Sequence, residues 1–326
     1  MAAKKITGFG CIAALTAVLC WAQTGPADPK PSALWVDASS GQSLEDGTKA
    51  APFKTLAKAL AQAPKGSVVW VKSGEYRENI VVADVTLRGE GGGLGRKRPV
   101  IRAANSTQPV AIVRGKVTLE LLRITGGEDG ILIDLNAEAR IVRCEIVDNT
   151  DNGIAFEEAQ TAGEEPAQIH VENCLVSGND DGIDLEANKG TVVKCRLINN
   201  RDDGLDYDGD ADCSALDNEI HDNEDDGIEI RLERTTRARI EGNVITGNGE
   251  DGIEIINTPL SGPTSNRVTI AKNRILGNVR YGIGGVDQVM EDLREGLLVQ
   301  GVTLKENTVE KNGKGQVVGV ATPSNR

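Results

Sequence analysis

Aromatic residues make up only 3% of the 326 residues, three each of Trp, Tyr and Phe, so a row of exposed rings for sugar stacking is not available. Histidine is rarer still. His170 and His221 are the only two, and neither has Cys or His at a ligand spacing, which argues against zinc or copper. Positive charge is outweighed, 36 Lys and Arg against 49 Asp and Glu, for a net −13. Such a chain repels nucleic acid and anionic membrane, and cations or cationic groups are its natural partners. The uncharged run from Ile6 to Trp21 is shorter than the roughly 20 residues that span a bilayer. With Lys4 and Lys5 before it and Cys-Trp-Ala at its end, residues 1–22 read as a secretory signal peptide, implying a secreted or periplasmic protein. The rest, 23–326, reads as one domain, expected to act as a monomer. Helical repeats are excluded as well, because apolar residues alternate instead of recurring every three or four positions.

What is present is a repeat. Asp-Gly-Ile or a near variant recurs at Gly130, Gly153, Gly182, Gly204, Gly227, Gly252 and Gly282, in steps of 22 to 30 residues. Seven before the glycine stand Ile146, Leu175, Leu197, Ile220, Ile245 and Ile275; one after it stand Ile154, Ile183, Leu205, Ile228, Ile253 and Ile283. Four before it come Asn149, Gly178, Asn200, Asn223, Asn248 and Asn278, and nine before it Cys144, Asn173, Cys195, Asn218, Asn243 and Asn273. Units this short bury such columns only by stacking on their neighbours. The expected fold is all-β: a right-handed, single-stranded parallel β-helix, a solenoid of about ten turns. In the column containing Cys144 and Cys195 the two thiols stand two turns apart, about 9.6 Å, beyond the disulfide reach of about 7 Å. Buried free thiols are expected for Cys144, Cys174, Cys195 and Cys213.

An open solenoid end needs a cap. Residues 34–66 supply one, with Pro52 expected to open a short amphipathic helix carrying Phe53, Leu56 and Leu60 on one face, and the turns proper run over 67–321. The runs G-T-x-x-x-P-F-K-T-L, A-x-x-G and G-x-Y-R-E-N-I resemble the opening of right-handed β-helix proteins of the pectin-lyase-like superfamily. That resemblance covers essentially the whole mature chain and implies fold and export.

Segments 157–167, 257–267 and 285–297 lengthen the turn after the Asp-Gly-Ile strand, as the walls of a binding groove would. On its floor, two residues after the glycine, stand Asp184, Asp206, Glu229 and Glu254, and four after it Glu186, Asp208 and Arg231. By alternation these face outward. Each carboxylate pair at about 5 Å repels by about 0.8 kcal/mol even in water, so the stripe calls for a neutralising cation. Calcium, a hard cation with flexible oxygen coordination, fits best. Asp181, Asp203, Asp226 and Asp251 precede glycine and read first as turn formers. The run R-D-D-G-L-D-Y-D-G-D-A-D-C is denser, with Asp202, Asp203, Asp206, Asp208, Asp210 and Asp212 within eleven residues. With Asp181 from the preceding turn, these form the candidate metal set. Asp184, Glu186, Glu229 and Glu254 are the candidate substrate contacts.

N-D-D-G-I-D-L at Asn179 to Leu185 and R-D-D-G-L-D at Arg201 to Asp206 resemble the calcium motif of family nine pectate lyases. The resemblance implies calcium bridging an acidic sugar, with a basic side chain taking the proton beside its carboxylate in a β-elimination. The family's base is a lysine one to two turns on, whereas this chain has no lysine between Lys194 and Lys272. Arg231, outward and one turn beyond Asp208, takes that place as candidate base, or is an ion-pair partner of Asp208 or Glu229. Two other classes stay open. A glycoside hydrolase would use Asp202 with Asp203, or Asp180 with Asp181; a non-catalytic, calcium-binding surface or envelope β-helix would use the acidity for ions and solubility.

Overall fold

The computed structural model describes residues 33–40, 43–91, 97–157, 165–186, 188–258, 264–287 and 299–320. Residues 1–22, and with them the expected signal peptide, lie outside this set, as do most of the three long turn segments. The described chain winds through three parallel sheets of eleven, ten and ten strands. The first sheet runs from Ala33–Val36 to Val302–Lys305, the second from Glu75–Arg77 to Thr308–Glu310, and the third from Ile80–Ala83 to Gly315–Val318. Each turn contributes one strand to each sheet, giving the solenoid that the repeat predicts.

Two sharp corners per turn set the geometry. Between the first and second sheets one residue takes the left-handed conformation, as Arg143, Asn173, Lys194, Asp217 and Lys272 do with φ of 52° to 55°. That conformation costs on the order of 1–2 kcal/mol for a non-glycine residue. The next residue points inward and builds a ladder, Cys144, Cys174, Cys195, Asn218, Asn243, Asn273, in which each backbone N–H donates to the side chain of the following turn. At the second corner Asn149, Asn179, Asn200, Asn223, Asn248, Asn278 and Asn312 form another ladder; Asn223 Nδ2 donates to Asn248 Oδ1 at 3.0 Å, for example. Every buried amide there is satisfied from above and below, which offsets the corner strain.

Three columns need a one-residue correction. Val176, Asn179 and Cys174 occupy the inward positions that counting back from Gly182 assigns to Leu175, Gly178 and Asn173. Asn179-Asp-Asp-Gly182 is one residue shorter than Asn200-Arg-Asp-Asp-Gly204, so a fixed offset slips there and a stacking ladder does not. Cys174 therefore stands between Cys144 and Cys195 on the intervening turn; all four described cysteines are buried and free.

The repeat glycine has a different reason from turn conformation. None of the seven has positive φ. A Cβ on Gly204 would sit 2.7 Å from Gly227 O and 2.8 Å from Asn223 Nδ2, so glycine is required because the ladder passes against the backbone.

At the N-terminal end the helix runs from Leu56 to Gln62, with Thr55 as N-cap, so Pro52 does not open it. Phe53 bridges to Val36 ahead of the helix and is buried there. The Glu78 carboxylate accepts the free N–H groups of Leu56 and Ala57, both at 2.8 Å, anchoring the cap to the first full turn. Leu56 and Ala59 are the buried helical residues, with Leu60 half-buried. No helix among the described residues is long and apolar enough to cross a membrane.

Candidate functional site

The segment leaving the second sheet and entering the third carries three parallel columns of acids. The first is Asp180, Asp202, Asp225 and Glu250, linked by backbone hydrogen bonds from turn to turn and continued by Arg280 and Lys314. The second is Asp181, Asp203, Asp226 and Asp251. Here the side chain caps the next turn: Asp203 Oδ1 accepts Asp226 N–H at 2.7 Å, and Asp226 Oδ1 accepts Asp251 N–H at 2.6 Å. One oxygen of each of these four therefore holds the backbone of the next turn, where a turn former would cap its own. The third column, in register on the third sheet, is Asp184, Asp206, Glu229 and Glu254, and it ends at Gly284. Tyr207, Leu185 and Ile230, one residue further along, point inward and are fully buried.

Stacking this much like charge half out of water disfavours ionisation. Burial, reinforced by neighbouring carboxylates, pushes Asp203, Asp206 and Asp226 up to about 10. The same cause lifts Asp181, Asp184 and Glu254 to about 7. Four groups of three side chains bring carboxylate oxygens within 4.8 Å of one another: Asp202–Asp203–Asp225, Asp206–Asp208–Glu229, Asp225–Asp226–Glu250 and Asp226–Glu229–Glu254. Buried oxygens with no hydrogen-bond partner remain on Asp206, Asp208, Asp225 and Asp251.

Two arginines neutralise part of the field. Arg231 pairs with Asp208 at 3.0 Å and with Glu229 at 2.7 Å. Arg280 pairs with Glu250 and lies 3.8 Å from Asp251 and 3.9 Å from Glu254. Burial lowers the Arg231 pKa, but Glu229, Asp208 and Asp206 more than reverse this, so its proton is held more tightly than usual. A guanidinium so clamped is an ion-pair partner, and the described carboxylates around it favour its charged form over that of a base. Asp202, Asp203, Asp225 and Asp226 have no ion pair among the described residues.

The candidate metal set divides in space. Asp181, Asp202, Asp203, Asp206 and Asp208 belong to the acidic face. Asp210 leaves it, its Oδ1 accepting the N–H groups of Arg234 and Thr235 at 3.0 and 2.5 Å. Asp212 leaves it too: it opens the strand Asp212–Leu216 of the first sheet, between Lys189 and Arg237. Closeness in sequence misled here, because the chain turns a corner between Asp208 and Asp212. Of the candidate substrate contacts, Asp184, Glu229 and Glu254 share the third column, and Glu186 N–H donates to Asp184 Oδ1 at 3.1 Å. Counting within one run missed Asp225, Glu250 and Arg280. The signal for Asp225 and Glu250 was present in D-D-G, D-D-G, D-D-G and E-D-G at successive repeats, and that for Arg280 in the R-Y-G that follows them.

Residues 114–264 match the family model described as a right handed beta helix region. Among solved structures the chain resembles the pectate lyase Pel9A, at 15% identity and TM-score 0.62 over 90% of this chain and 78% of that one. An alginate lyase from Paenibacillus sp. str. FPU-7 matches at 15% identity and TM-score 0.59 over 82% and 96%. A rhamnogalacturonan lyase matches at 14% and 0.54 over 89% and 85%. No curated protein matches in sequence. The chain has a right-handed parallel β-helix fold. Fold alone leaves chemistry to the site.

Proposed function

We propose that this chain binds acidic polysaccharide along the acidic face through calcium held by Asp202, Asp203 and Asp225, with Asp181, Asp206 and Asp208 beside them. The observation that carries the reading is that Asp202, Asp203 and Asp225 converge within 4.8 Å with no ion pair to a cationic side chain among the described residues. Oxygen-only donors and partnerless buried carboxylate oxygens suit a hard cation with six to eight ligands, and a sugar carboxylate can complete the shell. The neighbours named as lyases of pectate, alginate and rhamnogalacturonan support a polysaccharide as the partner. Export through residues 1–22, a single domain over 23–326 and a monomeric state belong to the same reading.

Bound calcium would acidify the C–H beside the sugar carboxylate, the chemistry of a polyuronate lyase. The chain's own residues bind and orient: Asp184, Glu186, Glu229 and Glu254 line the path of the polymer. Arg231, the candidate base by sequence, instead holds Asp208 and Glu229 in place. That clamp, with no lysine between Lys194 and Lys272, favours a second reading in which the protein binds the polymer without cleaving it.

Absorbance of the unsaturated product on a panel of polyuronates, with and without calcium, separates the two. Calcium-dependent product establishes the lyase, and Arg231→Ala then tests the base, since surviving activity removes that role. No product on any polyuronate, with calorimetric calcium binding intact, selects the binding protein. Absence of any calcium-specific heat rejects both.

A further inference from the structure

Across neighbouring strands of the first sheet, outward charges pair with opposite charges. Lys116 meets Glu138 at 2.7 Å and Arg140 meets Glu172 at 2.6 Å. One position departs from this pattern. The register sets Arg237 directly opposite Arg267, both exposed, and neither has an ion pair among the described residues. Asp212, opposite Arg237 on the other side, makes none either. Like charges facing one another on adjacent strands destabilise a sheet. In the next outward column the short side chains of Ser214 and Thr269 flank Arg239, which is committed to Glu241 at 2.6 Å. A trough of about 310 Å³ results, lined by Asp212, Arg237 and Arg267 along one column and by Ser214, Arg239 and Thr269 along the next, so three guanidinium groups outweigh one carboxylate.

We infer that this trough is a second glycan site, one that takes an anionic group, carboxylate or sulfate, of an acidic polysaccharide between Arg237 and Arg267. A planar guanidinium donates two parallel N–H bonds to such a group, and an anion between two of them removes their repulsion. The Ser214 and Thr269 hydroxyls are placed to meet sugar hydroxyls alongside. The site lies on a different sheet from the acidic face, has the opposite sign, and needs no metal. It takes from the reading above only the class of polymer.

Affinity electrophoresis of the full chain in EDTA tests it, in gels containing polygalacturonate, dextran sulfate or neutral dextran. Wild type is expected to be retarded by at least one polyanion relative to dextran, and the retarding polymer identifies the anion. Arg237→Gln/Arg267→Gln should weaken that retardation by about fivefold or more, as loss of two exposed charge contacts does. Arg196→Gln/Arg274→Gln removes equal charge from the second sheet and should leave it unchanged. If the first double variant melts early, Arg237→Lys/Arg267→Lys serves instead, keeping charge but losing the fork, and should also weaken retardation. No retardation in EDTA, or equal loss in both Gln doubles, overturns the inference. Retardation in EDTA without calcium binding rejects the calcium reading and leaves this one standing; calcium binding without retardation in EDTA does the reverse.

Discussion

The first and third sheets wind through the same turns at the same spacing, yet they treat charge in opposite ways. On the first, cation and anion alternate across strands, as with Lys116 and Glu138 or Arg140 and Glu172, except where Arg237 faces Arg267. On the third, Asp184, Asp206, Glu229 and Glu254 stack acid on acid, flanked by two further acidic columns. A sheet that neutralises itself is finished when it folds. One that stacks like charge depends on protons or an external cation, so the two faces should respond oppositely to solution conditions.

The largest expected effect is on pH dependence in chelator. Carboxyls held at about 7 or about 10 in the folded chain keep protons that the unfolded chain releases near pH 4. Folded protein therefore binds more protons than unfolded across that window, and stability falls as pH rises from about 4 towards 10. Thermal melts in EDTA at stepped pH should show the melting temperature declining over that range. A rise instead would mean that these carboxyls are already compensated.

Calcium should reverse much of that decline. At a free concentration a hundredfold above Kd, binding to the folded state alone adds about 2.7 kcal/mol, worth several degrees for a domain of this size. Protons should be released on binding, so calorimetry in buffers of different ionisation enthalpy should give different apparent heats. Identical heats would place calcium away from the high-pKa carboxyls.

Single substitutions sharpen the contrast between the faces. Asp202→Asn or Asp225→Asn should weaken calcium by about tenfold, as loss of one charged ligand does, while raising the calcium-free melting temperature by relieving repulsion. Asp210→Asn and Asp212→Asn should leave calcium affinity unchanged, since both side chains lie elsewhere. The smallest effect belongs to the paired face. Glu138→Gln should change the melting temperature little, and less still in high salt, because its partner Lys116 is largely exposed. A stabilising Glu138→Gln would remove the distinction between the faces.

The solenoid was legible because its determinants recur along the chain. Apolar, Asn and Gly positions repeat at near-constant spacing, and stacking turns that period into strands, corners and ladders. Even the Asn179 to Gly182 slip is visible once a ladder replaces a fixed offset. The charged face was legible as a stripe of acids. Its division was not: Asp208 and Asp212 are four residues apart yet on different sheets, whereas Asp202 and Asp225 are 23 apart and in contact. The sequence by itself determined the period, the inward columns and the sign of the acidic face, since these depend on residue type at repeating positions. Only the tertiary structure decided which carboxylates meet, which of them Arg231 and Arg280 neutralise, and that Arg237 faces Arg267. Those depend on where the chain turns between repeats and on how side chains reach across turns, where distance in space no longer follows distance along the chain.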